Sequence, residues 1–228
     1  MKSKLGLAIV LSVSVISSTW SASLADLSNA EASSGLRAAL EKGAESAVGK
    51  LGVENGFLSN DKVKINLPSS LDRAQQILRM TGQGAKLDEL VVSMNHAAES
   101  AVPLAKPLLT NAIKSMTVTD AKNILTGGDT AVTDFFRQKT AEQLKIQFKP
   151  AVKSVTDKAG LADKYNRVMG PIAEHGMVPP EQATVESYVT DRAVNGLFLM
   201  IAEEEKAIRQ DPIGTGSKVL EKVFGLLK

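Results

Sequence analysis

Ala193-Val194-Asn195-Gly196-Leu197-Phe198-Leu199-Met200-Ile201-Ala202 is the stretch that decides the fold. Apolar side chains fill nearly every position of it, so on a helix they point in all directions. Thr184 precedes the surrounding helical pattern as a candidate N-cap, and Asp211-Pro212 ends it. A helix without a polar face must be surrounded by other elements. We therefore expect a long helix from Thr184 to about Arg209 at the centre of the fold.

Helical signals also dominate the rest of the chain. Candidate N-terminal caps precede apolar periodic stretches at Ser28, Ser69 or Ser70, Thr117, Asp129 or Thr130, and Thr140. Residues expected to end or kink a helix follow at Gly52, Gly82, Pro103, Pro107, Gly127-Gly128, Pro150, Gly160 and Gly170-Pro171. These patterns predict an all-α, helical-bundle-like single domain of about eight to ten helices, the last of them over 217–227.

One stretch departs from helical periodicity. Val63-Lys64-Ile65-Asn66-Leu67 alternates apolar and polar residues, as a β-strand with one buried face does. A lone strand is not stable without a partner. We therefore expect a short extended segment near 62–67, either laid across helices or folded into a short hairpin at most.

The N-terminus has the three regions of a signal peptide. Lys2 and Lys4 supply positive charge, an apolar run of about 12 residues follows, and Ser23-Leu24-Ala25 matches the small-x-small cleavage pattern. The run is too short for a membrane-spanning helix, which needs roughly 20 residues. We predict that residues 1–25 are a signal peptide cut after Ala25, with Ser23 and Ala22 as alternative positions. Residues 26–228 would then form the mature periplasmic domain, without a transmembrane segment.

Charge and cysteine content restrict the classes of partner. The chain has 27 basic and 25 acidic residues, and the predicted signal peptide holds two lysines and no acid, which leaves 25 of each in the mature chain. A net-neutral domain has no global attraction for nucleic acid or for an anionic membrane. The absence of cysteine means that burial of apolar surface, without disulfides, must hold the fold.

Motifs spread over nearly the whole mature chain resemble the bacterial DUF4197 family. They are 27–32, 55–58, 93–95, 97–99, 101–103, 124–129, 136–137, 201–206, 208–209 and 211–212. The resemblance implies an exported helical protein, mostly from Gram-negative bacteria, of a family whose function was unassigned when it was defined. One departure is His96, where members of the family often have arginine. If that position binds an anion, a histidine would bind it more weakly at neutral pH.

No recognisable catalytic or metal motif stands out in the sequence. The chain lacks a Gly-x-Ser-x-Gly elbow, and its only histidines are His96 and His175. His96 and Glu99 are one helical turn apart, a spacing that metal sites use, but a site needs three or four ligands and no second pair is visible. We therefore interpret them as a surface polar pair, and we predict no catalytic residue, no metal and no cofactor.

Two charged features have competing interpretations. The joint Gly127-Gly128 before a helix could hold an anion on free N–H groups, but a glycine closing one helix and Asp129 capping the next is favoured. Glu205, in the acidic run 203–205, and Arg209 have the spacing of a surface ion pair. Glu203 or Glu204 could instead point inward, toward Arg137, Lys164 or Arg192, because a buried acid needs a partner.

These observations favour a non-catalytic binding or interaction protein. Its partner is unknown and would be a small amphiphilic ligand or another envelope protein. The alternatives are a structural or assembly role in the cell envelope and a hydrolase with paired carboxylates. If there is a ligand site, we expect polar residues embedded among apolar helix faces to orient the ligand by hydrogen bonds. These residues are Asn95, Glu99, Arg137, Tyr165, Asn166 and Arg209. The competing interpretation is that Glu99, Arg137 and Arg209 satisfy one another between helices.

Overall fold

The computed structural model describes residues 29–211 except 159, 161 and 177. Within these residues the chain forms α-helices, 3-10 turns and no β-strand, which confirms the all-α class. The α-helices are α1 (Asn29–Leu51), α2 (Asp72–Met80), α3 (Gly84–Ala101), α4 (Ala105–Lys114), α5 (Val118–Thr126), α6 (Ala131–Lys158), α7 (Ala162–Glu174) and α8 (Val185–Gln210). A 3-10 turn joins α3 and α4 end to end. The described residues contain eight α-helices, so the expected eight to ten is met only at its lower end.

The predicted central helix is α8. It packs against α1, α3, α6 and α7, and Leu197 and Phe198 in its middle are fully buried. The hydroxyl of Thr184 accepts a hydrogen bond from the N–H of Ser187 at 3.1 Å, so the predicted cap is confirmed. One stripe of α8 nevertheless stays open, since Leu199 is 39% exposed.

Two predicted helix boundaries were wrong. Thr140 does not open a helix: α6 runs unbroken from Ala131 to Lys158, and the Thr140 hydroxyl donates to the carbonyl of Phe136 at 2.6 Å. A threonine can satisfy its hydroxyl in this way inside a helix. Gly170-Pro171 does not close α7, which continues to Glu174. Pro171 removes one main-chain donor from the helix but does not end it.

The signals around α2 and α3 gave mixed results. Pro103 splits the long helix as expected, because the 3-10 turn Val102–Leu104 separates α3 from α4. No serine side chain caps α2; a 3-10 turn beginning at Ser69 leads into the helix instead. The predicted signal peptide and the helix predicted over 217–227 lie outside the described residues.

The stretch after Val63 is the expected extended segment. Residues 64–68 are in neither helix nor strand. Val63, Ile65 and Leu67 are buried, whereas Lys64 and Asn66 are exposed, so the predicted alternation is confirmed. The segment lies across helices, with contacts to α3 on one side and to α8 on the other.

Candidate ligand groove

A groove of about 430 Å³ runs between the extended segment and α8. Residues 62–69 form one wall, so we call it the 62–69 groove. The other lining residues are Gln182, Tyr188, Arg192, Asn195, Gly196 and Leu199. Its volume lies in the range of small-ligand sites, which is roughly 300–1,000 Å³.

The wall of the groove is extended because Asn95 of α3 binds it. The side-chain amide of Asn95 accepts a hydrogen bond from the N–H of Ile65 at 2.9 Å and donates one to the carbonyl of Ile65 at 2.8 Å. In an extended chain both main-chain groups of one residue point to the same side, and those of its neighbours point to the opposite side. The main-chain groups of Lys64 and Asn66 therefore face away from Asn95. The hydroxyl of Tyr188 donates to the Asn66 carbonyl at 2.8 Å on that opposite side.

Glu99 fixes the turn that precedes the segment. Its carboxylate accepts hydrogen bonds from the N–H groups of Asn55 at 3.1 Å, Phe57 at 3.0 Å and Leu58 at 3.1 Å. Asn55 has a φ of 64°, a left-handed conformation that asparagine tolerates better than most residues. Glu99 is buried, so these three donors replace the water that its charge loses.

Phe57 and Gly196 bring this turn against α8. A Cβ atom on Gly196 would lie only 2.7 Å from Cε1 of Phe57. The ring of Phe57 is fully buried at that contact. Glycine is therefore required there for the close approach of the turn to the helix.

The charge lining the groove is positive. Lys62, Lys64 and Arg192 line it, and no acidic residue does. Lys62 forms an ion pair with Glu203. Arg192 lies with its guanidinium carbon 5.2 Å from the centre of the Tyr188 ring. Neither Lys64 nor Arg192 forms an ion pair with any described residue, so both charges are available to a ligand.

The six residues predicted for a ligand site do not form one cluster. None of them is among the residues that line the groove. Three of them contact its lining residues from behind, namely Asn95 through Ile65, Tyr165 through Gln182 and Tyr188, and Arg137 through Asn195. They hold the walls in place and present no group to the space itself.

Tyr165 and Asn166 of α7 bind the beginning of α8 and the turn before it. The hydroxyl of Tyr165 donates to the Gln182 carbonyl at 3.1 Å, and its ring stacks on that of Tyr188 with centroids 6.4 Å apart. Burial raises the pKa of Tyr165 well above its ordinary value, so the hydroxyl stays a donor at neutral pH. Asn166 accepts from the N–H of Val185 at 2.8 Å and donates to the carboxylate of Glu186.

Arg137 binds the surface of α8. Its guanidinium carbon lies 4.6 Å from the centre of the Phe198 ring, and its Nη1 donates to Oδ1 of Asn195 at 3.1 Å. Asn195 in turn donates to Asp191 at 2.9 Å. Neither Glu99 nor Arg209 is a partner of Arg137, in contrast to the competing interpretation.

Arg209 belongs to a separate cluster at the α5–α6 joint. It donates to Glu205 at 2.9 Å and to the Ile124 carbonyl in the last turn of α5 at 3.2 Å. The Glu205 carboxylate accepts from the N–H groups of Val132 and Thr133, both at 3.0 Å, in the first turn of α6. The anion position at this joint, for which capping by Asp129 was the favoured prediction, is filled instead by Glu205 of α8.

The inward acid of the run 203–205 is thus Glu205, and the expectation for Glu203 or Glu204 was wrong. Glu203 pairs with the exposed Lys62, and the largely buried Glu204 pairs with the exposed Lys50, so neither pairs with Arg137 or Arg192. The predicted Glu205–Arg209 pair exists, but it is buried, with Glu205 1% and Arg209 14% exposed in their side chains. A charge-run pattern does not show which of three consecutive acids faces a neighbouring helix terminus.

His96 lies close to the Glu99 anchor. Its Nε2 is 3.9 Å from Oε2 of Glu99, and this buried nitrogen has no hydrogen-bond partner among the described residues. The described part of the chain contains no group of three or more side chains placed to hold a metal ion. Nor does it contain a helix that is long and apolar enough to cross a membrane.

Sequence reasoning missed the residues that line the groove on α8. Arg192, Asn195 and Leu199 are spaced i, i+3 and i+7, and so they form one exposed stripe on an otherwise buried helix. Arg192 and Asn195 could have predicted this exposed stripe, because a helix that is buried on all sides would not have polar residues at these positions. The exposed positions of the extended segment, Lys64 and Asn66, follow from its alternation in the same way.

Comparison with known proteins places the chain in a family. No curated protein and no solved structure matches it. One family model, described as "Protein of unknown function (DUF4197)", matches residues 26–225, which is most of the chain. The resemblance seen in the motifs is confirmed, and this protein belongs to the DUF4197 family.

Proposed function

We propose that this protein is an exported, periplasmic, non-catalytic binding protein whose ligand occupies the 62–69 groove. The observation that carries the proposal is the groove itself, which combines small-ligand volume with the unpaired charges of Lys64 and Arg192. Its extended wall is held in advance by Asn95, Glu99 and Tyr188. A site that is formed before binding loses little conformational entropy when the ligand arrives.

Export is supported by the N-terminal pattern and by the extent of the family match. The charged start, apolar run and small-x-small motif are those of a cleaved signal peptide. The family match begins at residue 26, directly after the favoured cleavage position at Ala25. The groove would then lie in the mature chain, in contact with periplasmic solutes and proteins.

A hydrolase with paired carboxylates receives less support from the described residues. A general acid at neutral pH needs a raised pKa. The carboxyl groups with a clear shift have lowered pKa values, because Arg79 binds Asp88, Thr117 binds Asp120 and Lys62 binds Glu203.

A structural or assembly role is the second candidate. α2 supports it, because Ile77 and Met80 on this short helix are 60% and 87% exposed. Exposed apolar side chains on a helix that packs mainly on α3 suit a contact with another envelope protein. In that case replacing both residues with serine would abolish the contact and leave ligand binding in the groove unchanged.

Native mass spectrometry of the protein purified from the periplasm without detergent tests the proposal. We expect the mass of residues 26–228 together with a stoichiometric additional mass. The additional mass should be lost in a Lys64→Glu/Arg192→Glu variant and kept in Lys122→Glu, which changes an exposed lysine of α5. A chain that retains residues 1–25, or that fractionates with the cytoplasm, would contradict export. An additional mass that persists in the double variant would contradict the groove. A spectrum without any additional mass, with no rise in melting temperature when periplasmic extract is added, would contradict the binding role.

A further inference from the structure

The extended wall leaves two main-chain groups open toward the groove. The carbonyl of Lys64 and the N–H of Asn66 form no hydrogen bond with any described residue. Both residues line the groove, and the alternation of an extended chain places these two groups on the side opposite to Asn95. They flank Ile65, so they are the carbonyl before it and the N–H after it.

This arrangement matches one half of a parallel strand pair. In such a pair a single residue of the neighbouring strand accepts from the N–H after, and donates to the carbonyl before, the residue opposite to it. The Asn95 amide already fills the other side of Ile65 with one acceptor and one donor. An incoming peptide residue would place its own C=O and N–H on the free side, opposite Asn66 and Lys64.

The side chains around these groups select for negative charge. Lys64 and Arg192 have no acidic partner among the described residues. Gly196 and Leu199 add apolar surface between them. Because side chains alternate along an extended chain, a peptide with acidic residues at every second position would meet the cations and place apolar residues on the floor.

From this juxtaposition we propose that the 62–69 groove binds an extended acidic peptide segment, which pairs through its main chain with Lys64 and Asn66 and through its carboxylates with Lys64 and Arg192. The proposal rests on the binding function proposed above and names its ligand class. Short peptide stretches bound in this way add a strand to an exposed main-chain edge, and side-chain pockets supply the specificity.

The experiment titrates the full mature chain with a pentapeptide of alternating valine and glutamate that is acetylated and amidated. Amide NMR and calorimetry follow the binding. We expect saturable binding with a large shift of the Asn66 amide, and weakening by high salt because ion pairs are screened. Two comparison peptides separate the contribution of the carboxylates from that of the main-chain hydrogen bond. One has glutamine in place of glutamate, and the other carries an N-methyl group on the central amide and so cannot donate to the Lys64 carbonyl.

Variants of the protein locate the binding. Arg192→Gln and Lys64→Gln should each weaken binding of the acidic peptide about tenfold or more, the usual effect of losing a charge-assisted hydrogen bond. The control is Lys122→Gln, which also removes one positive charge. Lys122 lies on α5 two positions from Ile124, whose carbonyl accepts from Arg209. Arg209 is seventeen positions, or about 25 Å, along α8 from Arg192. This control should bind as the unchanged protein does.

The outcomes distinguish a failure of the peptide proposal from a failure of the proposed binding function. If succinate binds in the groove and the peptide does not, the peptide proposal is overturned while the binding function stands. Equal affinity for the acidic, glutamine and N-methylated peptides would also overturn it. If neither the peptide nor succinate shifts Asn66, and the periplasmic protein carries no additional mass, both proposals fail.

Discussion

Asn95 forms with the main chain of Ile65 the two hydrogen bonds that a neighbouring β-strand would form. A helix side chain thus takes the place of a second strand. The amide of Asn95 is fully buried and also donates to the Val91 carbonyl at 2.7 Å. Asn95 therefore holds one side of the groove wall, and Tyr188 holds the other.

We predict that Asn95→Asp destabilises the fold. An ionised aspartate cannot donate to the Ile65 and Val91 carbonyls, and unsatisfied buried groups cost about 1–3 kcal/mol each. We expect the free energy of unfolding, measured with urea, to fall by about 2–4 kcal/mol. The amide of Ile65 should also exchange faster with solvent. Asn123→Asp, at an exposed position of α5, is the control and should stay within about 0.5 kcal/mol. Equal stability of both variants would contradict the assigned role of Asn95.

The Glu205 cluster gives a second prediction. Glu205→Gln puts a donor where the carboxylate accepts from the first turn of α6, and it removes the negative charge that Arg209 contacts at 2.9 Å. Breaking a buried pair in this way costs about 3–5 kcal/mol. Glu204→Gln, which removes an ion pair with the exposed Lys50, should cost less than about 1 kcal/mol.

A double-mutant cycle checks that the effect belongs to the pair. Arg209→Met should cost less free energy of unfolding in the Glu205→Gln protein than in the unchanged protein, because its partner is already missing. Strictly additive costs would show that the two side chains act independently, against the contact at 2.9 Å.

Gly196→Ala should separate the turn from α8. The added methyl group would meet Phe57, so the ring must shift, and overpacking of this kind costs about 1–3 kcal/mol. A second change, Phe57→Leu, should recover part of the stability lost on Gly196→Ala. The matched control is Gly49→Ala in α1, where no atom lies within 4 Å and the higher helix propensity of alanine should stabilise by up to about 1 kcal/mol. Thermal unfolding shows whether Gly196→Ala and Gly49→Ala each stabilise or destabilise the fold. Destabilisation by both changes would contradict the packing argument.

The capping box of α5 predicts a dependence on pH. The N–H of Thr117, and next its hydroxyl, donate to Asp120 and lower the pKa of that carboxyl. A group with a lower pKa in the folded state stabilises above its unfolded pKa and loses this contribution as the pH falls through the folded pKa. Asp120→Asn should therefore lose less stability than the unchanged protein between about pH 5 and pH 2. A carboxyl NMR titration of Asp120 should show the pKa moving toward its ordinary value in Thr117→Val.

Local signals were enough for the fold class and most helix boundaries. The caps at Thr117 and Thr184 and the break at Pro103 were correct because the deciding interactions lie within a few residues. The error at Thr140 has a physical cause. Its hydroxyl is satisfied inside the helix by the Phe136 carbonyl, and the residue is buried by packing that depends on parts of the chain far away in the sequence.

The candidate site was harder to predict for the same reason. Polar residues in apolar helix faces do mark important positions, but Asn95, Glu99 and Arg209 use their hydrogen bonds to hold the chain itself. Polar side chains that are already satisfied have little left to offer a ligand. The groove lies where the 62–69 segment meets α8, and no local sequence pattern predicts how far apart these two elements lie.

The 55–66 stretch depends on contacts with distant parts of the chain. Its anchors reach it from distant parts of the chain: Asn95 from 30 positions away, Tyr188 from 122, and Met200, whose sulfur accepts from Asn60, from 140. Closing such loops is slow compared with forming a helix. A growing chain that has not yet produced α8 lacks one wall of the groove. The proposed binding site would therefore be complete only when the last part of the described chain is in place.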